Sequence, residues 1–221
     1  MMEVHKQEEL FIMNMYINEP LQHYLDDLAS AKPTPGGGSA SALTGAMGAA
    51  LASMVARLTQ DKPGYATVHQ EIEELVQRIE KLRSRFQQLM QEDIDAYGRL
   101  SACFKMPHNT DEERATRSAA IQDALLQAAL VPLTTVESAG ELVNYCRRIA
   151  EIGNTLVLSD VVVAATLASG AGKGASEMVR INLHSMKDAE RVKELTGRLN
   201  VALEDIVEGC REVTSIVGRR Q

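Results

Sequence analysis

Two long stretches of this 221-residue chain carry apolar residues at alternating three- and four-residue spacing, which is the period of an α-helix. One stretch predicts a helix from about residue 67 to 104, and the other predicts a helix from 188 to 218. No stretch shows the strict alternation of a half-buried β-strand. The sequence therefore predicts an all-α fold, a multi-helix bundle with two long helices. The apolar side of the last helix reads Val192, Leu195, Leu199, Leu203, Ile206, Cys210, Val213 and Val217.

Cap and turn residues divide the rest of the chain into shorter predicted helices. Thr110 and Glu113 form a capping box. Pro132 is expected to start or kink a helix, and the Gly170-Ala171-Gly172 segment is expected to end one. The predicted helices are 20–30, 39–59, 111–130, 132–152, 158–168 and 174–183.

A turn rich in glycine precedes the second of these helices. In residues 33–39, PTPGGGS, two prolines restrict the backbone, three glycines permit unusual geometry, and Ser39 can cap a helix. Backbone N–H groups at a helix N-terminus favour an anionic or carbonyl group. No Gly-Lys-Ser/Thr sequence closes the turn, which argues against a nucleotide phosphate loop.

The helix after this turn contains almost no bulky side chains. Gly45 and Gly48 each cost about 1 kcal/mol against alanine, so a close contact should compensate for them. The partner could be another helix of the core, a second subunit or a flat ligand. Residues 33–56 hold no charge, but their alanine, glycine and serine content is weakly apolar and no second span accompanies them. We therefore predict no membrane partner.

Composition narrows the function and the location. The net charge of −7 argues against nucleic-acid binding, and five scattered histidines leave no zinc motif, so no metal site is predicted. Cys103, Cys146 and Cys210 lie far apart, as in a reducing compartment. Residues 1–18 lack the apolar core of a signal peptide. These features predict a cytoplasmic protein with a single domain over residues 1–221.

Asp93 occupies a position where the first long helix should be apolar. Burial disfavours an ionised carboxyl and would raise its pKa, which suits a general acid/base. Two alternatives remain: the apolar side could turn towards solvent at this point, or Asp93 could pair with an arginine. The rest of the apolar side is Ile72, Leu75, Ile79, Leu82, Phe86, Leu89, Ala96, Leu100 and Cys103.

Three further polar residues interrupt apolar stretches: Asn154, Asp160 and Asn182. Each could be a helix cap or another satisfied polar group. Alternatively, they could face a common polar cleft.

Taken together, these features resemble the cyclodeaminase/cyclohydrolase family of folate enzymes, from about residue 20 to the C-terminus. The glycine-rich turn and the small-residue helix carry the most specific part of the resemblance, and the family's catalytic aspartate falls on Asp93. One departure is Met178, where relatives often carry asparagine; Glu177 also replaces a larger apolar residue. The other matching segments are Leu58-Thr59, Lys62-Pro63-Gly64-Tyr65, Asp93-Ile94-Asp95-Ala96-Tyr97, Met106-Pro107, Val131-Pro132-Leu133-Thr134, Gly153-Asn154, Ser159-Asp160 and Val179-Arg180-Ile181-Asn182-Leu183.

The resemblance implies a homodimer with a folate cleft at or near the subunit interface, and no cofactor beyond the tetrahydrofolate substrate. It implies a cyclodeaminase that forms 5,10-methenyltetrahydrofolate and ammonia from the formimidoyl compound. The alternatives are a methenyltetrahydrofolate cyclohydrolase and, third, a non-catalytic helical binding protein. Asp93 is the expected catalytic residue, and Lys173, Arg180 and Lys62 are candidates for holding the anionic folate tail. The expected substrate-binding residues are Pro35, Gly36, Gly37, Gly38, Ser39, Asn154, Asp160, Asn182, Lys173 and Arg180.

Overall fold

The computed structural model describes residues 16–60 and 62–220, which fall into two compact units divided between Gly36 and Gly37. The first unit contains a 3-10 turn, Tyr16–Asn18, and the short helix α1, Leu21–Leu28. Asp27 organises this unit, because its carboxylate accepts hydrogen bonds from the Tyr16 hydroxyl at 2.6 Å and from Lys32 Nζ at 2.5 Å. The hydrogen bond to Asp27 raises the pKa of Tyr16 to about 12.

The described residues of the second unit form five long helices: α2 (Gly37–Gln60), α3 (His69–Phe104), α4 (Asp111–Ile152), α5 (Leu158–His184) and α6 (Ala189–Arg220). Short 3-10 segments, Pro63–Val68 and Thr155–Val157, precede α3 and α5. Over the described residues the secondary structure is helical without strands, which confirms the predicted all-α class. The prediction of a single domain over residues 1–221 stays a prediction.

Helix α2 runs antiparallel to both α3 and α5, which pack on either side of its small residues. The first turn of α2 therefore lies beside the later part of α3 and the end of α5, and its last turn lies beside their beginnings. We call these the Asp93 end and the Asn154 end of the bundle. The contacts that set these directions are Ser39–Asp93 and Ser53–Glu80 for α3, and Ser41–Gly174 and Gly48–Ala164 for α5.

The two apolar sides read from the sequence face the core as predicted. On α3, the side chains from Ile72 to Leu100 are buried at the predicted spacing, and Asp93 is half-buried among them. On α6 the buried positions include Leu195, Leu199, Ile206, Val213 and Val217. These positions remove apolar surface from water on one face of each helix, which is the main force that holds the bundle together.

Glycines in α2 and α5 allow close helix packing, which confirms the expectation for Gly45 and Gly48. A Cβ on Gly45 would lie 2.5 Å from the Phe86 ring, and one on Gly48 would lie 3.0 Å from the Ala164 carbonyl oxygen. The predicted end of a helix at residues 170–172 is wrong, because α5 continues through them. Its Gly172 faces α6, where a Cβ would lie 2.5 Å from Ile206 Cδ1.

Helix α4 also continues through Pro132, so the predicted separation of 111–130 from 132–152 is wrong. Proline lacks the N–H that would normally bond to the carbonyl four residues earlier, here that of Ala128. The Ala128 carbonyl instead accepts a hydrogen bond from Asn182 Nδ2 on α5, at 2.8 Å. The fold thus supplies from another helix the donor that Pro132 removes.

By length and hydropathy alone, three segments of the described chain could cross a membrane: Gly37–Gln60, Asp111–Ile152 and Thr155–His184. The sequence predicted that the α2 segment is too weakly apolar to span a membrane and that no second candidate span accompanies it. The length and hydropathy of these three segments contradict both points. In the fold, 61% of the most apolar window of Gly37–Gln60 is buried inside the protein. The absence of a membrane partner stays a prediction.

Candidate active site

The Asp93 carboxylate caps the N-terminus of α2. Its Oδ2 accepts a hydrogen bond from the backbone N–H of Ser39 at 2.9 Å, across 54 residues of sequence. The first turn of a helix leaves such N–H groups without partners inside the helix. Helix α2 begins at Gly37, two residues earlier than predicted, so Ser39 lies inside the first turn and not at the cap. One of the backbone donors expected to meet a ligand is therefore held by Asp93.

Gly38 makes this approach possible. A Cβ at Gly38 would lie 2.0 Å from Asp93 Oδ1, 2.5 Å from Cγ and 2.7 Å from Oδ2. These distances are far below any van der Waals contact, so no other residue can occupy position 38 while Asp93 keeps its place. The glycine in the turn and the aspartate on α3 are thus two parts of one feature.

Two opposing effects act on the protonation of Asp93. Burial raises its pKa above the ordinary value of 3.8, and the hydrogen bond from the Ser39 N–H opposes that rise. The raised pKa confirms the expectation drawn from the apolar side of α3. The partner of Asp93 is a backbone N–H and not an arginine, so the carboxyl keeps a proton more readily than an ion-paired one.

The raised pKa predicts how stability depends on pH. Between 3.8 and the folded-state pKa, the folded protein binds more protons than the unfolded chain, so the contribution of Asp93 to stability falls as pH rises. Asp93→Asn cannot ionise. Its free energy of unfolding, relative to wild type, should therefore rise between about pH 4 and about pH 7, as urea denaturation at both pH values would show. A difference that stays constant with pH would contradict this assignment.

Met178 lies against the same turn of α2, from the α5 side. Its Sδ and Cε are 3.4 and 3.5 Å from the position that a Cβ of Gly37 would take. The sequence identified Met178 as a departure from relatives but did not place it in the site. The sequence did hold a pattern that could have placed Met178 in the site. Gly174, Met178 and Asn182 follow one another at four-residue spacing, on one side of α5.

Asn182 lies one turn beyond Met178, at the Asp93 end of the bundle. Its Nδ2 donates to the carbonyl oxygens of Met178 and Ala128, each at 2.8 Å. The bond to Ala128 therefore holds α5 against α4 opposite Pro132, and the bond to Met178 lies within α5. This structural role explains why a polar residue interrupts the apolar stretch there; the substrate-binding role of Asn182 stays a prediction.

The pairing of Asn182 with Pro132 predicts a compensating double variant. Asn182→Ala should lower the free energy of unfolding by about 1–3 kcal/mol, because the Ala128 carbonyl loses its partner. In a Pro132→Ala background the helix supplies its own N–H to Ala128, so Asn182→Ala should cost clearly less. Urea denaturation of the four proteins of this cycle measures the coupling. Equal costs in both backgrounds would show that the two residues act independently.

The two cations predicted for the folate tail are seven residues apart and so lie on the same exposed side of α5, about 10 Å from each other along its axis. Arg180 is close to Met178 in sequence, and its guanidinium contacts Ser176 Oγ at 2.9 Å and the carboxylate of Glu177. Lys173 is exposed on the side facing α6, where its charge opposes the rise that burial causes in the pKa of the Cys210 thiol. Neither cation is on the side of α5 that carries Met178, so their role in holding the folate tail stays a prediction.

Asn154 and Asp160 lie at the other end of the bundle. Asn154 is buried; its backbone N–H donates to Thr59 Oγ1 at 2.9 Å, and its side chain caps the 3-10 segment through the N–H of Leu156. Ser39 and Thr59 are separated by about 30 Å along α2, at 1.5 Å per residue. Asp160 is about 27 Å from Met178 along α5 by the same measure. The expectation that both residues line one cleft with Asp93 is therefore not met within a single chain.

Lys62 also lies at the Asn154 end, because its backbone N–H donates to the Thr59 carbonyl at 3.2 Å, and Thr59 is about 30 Å from Ser39 along α2. It cannot hold the tail of a folate bound at Asp93 of the same chain. Pro35 and Gly36 belong to the first unit and precede Gly37 in sequence; the Thr34–Pro35 peptide bond is cis. Within the described residues, no group of three or more His, Cys, Asp or Glu side chains is arranged to hold a metal ion.

Comparison with known proteins gives one consistent family. The profile described as formiminotransferase-cyclodeaminase matches residues 20–201. A methenyltetrahydrofolate cyclohydrolase of Methylorubrum extorquens is 40% identical over 186 residues, covering 82% of this chain and 89% of that protein. A formimidoyltransferase-cyclodeaminase of Rattus norvegicus is 31% identical over 86% of this chain, which spans 35% of that longer protein. The crystal structure of a formiminotetrahydrofolate cyclodeaminase from Thermotoga maritima superposes with a TM-score of 0.82 at 30% identity, covering 90% of this chain and 96% of the other.

Proposed function

The chain belongs to the formiminotransferase-cyclodeaminase family, and on that basis we propose that it is a folate enzyme acting at the one-carbon bridge between N5 and N10 of tetrahydrofolate. The single observation that carries this proposal is the half-buried Asp93 carboxyl, held on the first turn of α2 by Ser39 with its pKa raised. Reactions at this bridge require one group that moves protons to and from nitrogen or water. A carboxyl with a raised pKa suits that task near neutral pH.

We favour hydrolysis of the methenyl bridge as the reaction. Water adds to the methenyl carbon, Asp93 accepts a proton from it, and the bond from carbon to N5 breaks as N5 takes up a proton. The product is 10-formyltetrahydrofolate, with one net proton released. The relative that is 40% identical and matched over nearly its whole length is named a methenyltetrahydrofolate cyclohydrolase, which supports this choice over the cyclodeaminase that the sequence placed first.

The second candidate is the cyclodeaminase reaction, favoured by the structural similarity to the Thermotoga maritima enzyme. Here N10 attacks the formimidoyl carbon and ammonia leaves from the tetrahedral intermediate. Asp93 would move the proton from N10 to the departing nitrogen. Both reactions consist of bond changes and proton transfers around one carbon, so we propose no cofactor beyond the tetrahydrofolate substrate. We also propose a cytoplasmic location.

We further propose that the protein is a homodimer. Met47, Met54 and Leu58 form an exposed apolar row on α2, and Val163 on α5 is also exposed. Soluble monomers rarely leave such a row uncovered. Antiparallel pairing of α2 with α2 of a second copy, about a two-fold axis perpendicular to both helices, would set the Asn154 end of one chain beside the Asp93 end of the other. That arrangement would bring Asp160 and Lys62 of the partner towards the site. Light scattering of the purified protein would test for the dimer, and a monomeric mass would refute this proposal.

The decisive experiment incubates the purified protein with each folate separately. Loss of the methenyl chromophore with formation of 10-formyltetrahydrofolate would support the cyclohydrolase. Appearance of that chromophore from formimidoyltetrahydrofolate, with release of ammonia, would support the cyclodeaminase. A well-folded protein that changes neither folate above the uncatalysed rate would refute the proposed function and leave the third alternative, a binding protein.

A further inference from the structure

Met178 and Asp93 flank consecutive residues of the same helical turn. The Met178 thioether contacts Gly37, with Sδ 3.4 Å from its Cβ position, and the Asp93 carboxyl contacts Gly38. A group that reaches the Asp93 carboxyl across this turn therefore has the thioether of Met178 as its neighbour on the α5 side.

Contacts one turn before and one turn after Met178 hold its backbone in place on α5. One turn earlier, Gly174 packs on α2 so closely that a Cβ there would lie 2.5 Å from Ser41 Oγ. One turn later, Asn182 donates to the Met178 carbonyl and to Ala128 on α4. These contacts hold the backbone around Met178 against the first turn of α2, so the thioether forms a wall beside that turn.

This wall offers a ligand almost no hydrogen bonding. A thioether has no donor and is only a weak acceptor, whereas it packs well against flat, polarisable groups. Methenyltetrahydrofolate and formimidoyltetrahydrofolate differ at the one-carbon group. The methenyl bridge carries only a C–H, whereas the formimidoyl group ends in N–H. An N–H that loses water and finds no acceptor is penalised.

We infer that Met178 determines substrate choice at this site, favouring the methenyl bridge over the formimidoyl group. The inference rests on the proposed function and deepens it, since it assigns the discrimination between the two candidate reactions to one side chain. It requires no new catalytic group, because Asp93 moves the protons in either reaction.

The test compares kcat/KM for the two folates in wild type, Met178→Gln and Met178→Leu. Glutamine keeps the unbranched shape and adds an acceptor, so the ratio of formimidoyl to methenyl kcat/KM should rise by about tenfold or more. Leucine stays apolar at similar volume, so its ratio should match wild type within about twofold. The ratio within one preparation does not depend on the fraction of active protein.

The outcomes separate this inference from the proposed function. Wild type inactive on both folates would refute the proposed function and this inference with it. Active wild type with an unchanged ratio in Met178→Gln would overturn the inference and leave the function intact. If Met178→Gln is unfolded by circular dichroism, Met178→Asn is measured in its place under the same criterion. A Met178→Leu ratio shifted as far as that of the polar variant would also overturn it, since shape and not polarity would then be responsible.

Discussion

Asp93→Asn should lower kcat by at least about 100-fold, the usual scale for losing a general acid/base. Asparagine keeps the shape of the side chain and can still accept the Ser39 N–H, so the cap of α2 survives. It cannot carry a proton between water and N5. The loss should therefore appear in kcat and not in the helical fold, which steady-state kinetics and circular dichroism would measure together.

Asp95→Asn is the matched control for this variant. Asp95 lies two residues along α3, and its carboxylate accepts a hydrogen bond from Gln91 Nε2 at 3.0 Å. The control removes one carboxylate from the same stretch of helix without touching α2, so its kcat should stay close to wild type. A folded Asp93→Asn enzyme with near wild-type kcat would end the catalytic assignment.

Gly38→Ala should have an effect on activity of similar size, about 100-fold or more in kcat, although it adds one methyl group and removes no functional group. The new Cβ would occupy the space of the Asp93 carboxyl, 2.0 Å from Oδ1. Either the carboxyl moves or the first turn of α2 moves, and in both cases the bond from Ser39 is lost. Misplacing a catalytic group by about 1 Å is enough to cause losses of this order.

Two controls distinguish displacement of Asp93 from a general loss of stability. Gly98→Ala, on α3, meets nothing within 4 Å and should keep full activity. In an Asp93→Asn background, Gly38→Ala should lower the remaining activity only slightly, because both changes remove the same function. Multiplicative losses in the double variant would contradict the proposed dependence of the carboxyl on Gly38.

The sequence by itself determined the helical class, the buried faces and the place of Asp93 on the buried side of α3. These features depend on local periodicity: a side chain at three- and four-residue spacing faces the same direction whatever its partner is. A carboxyl at such a position is costly to bury, so the pattern predicted a raised pKa, but only the structure excluded exposure and an arginine partner. The need for close contacts at Gly45 and Gly48 followed from helix propensity in the same way.

The two predicted helix breaks are wrong because contacts with residues distant in sequence stabilise the helices at those points. Pro132 and the glycines at 170–172 usually interrupt helices, yet α4 and α5 continue. Asn182 satisfies the carbonyl that Pro132 leaves free, and Ile206 fills the space beside Gly172. Neither partner lies near its counterpart in sequence, so local pattern could not find them.

Only the tertiary structure decided which polar residues lie at the Asp93 end of the bundle. Asn154, Asp160 and Asn182 look alike in sequence, as polar residues within apolar stretches. The antiparallel packing of α5 on α2 puts Asn182 at the Asp93 end and the other two about 30 Å away, at the far end of α2. The same packing sets Met178 on Gly37 beside the carboxyl. The physical reason is that periodicity tells which face of a helix is buried, but the register between helices depends on how side chains and glycines interlock along their whole length.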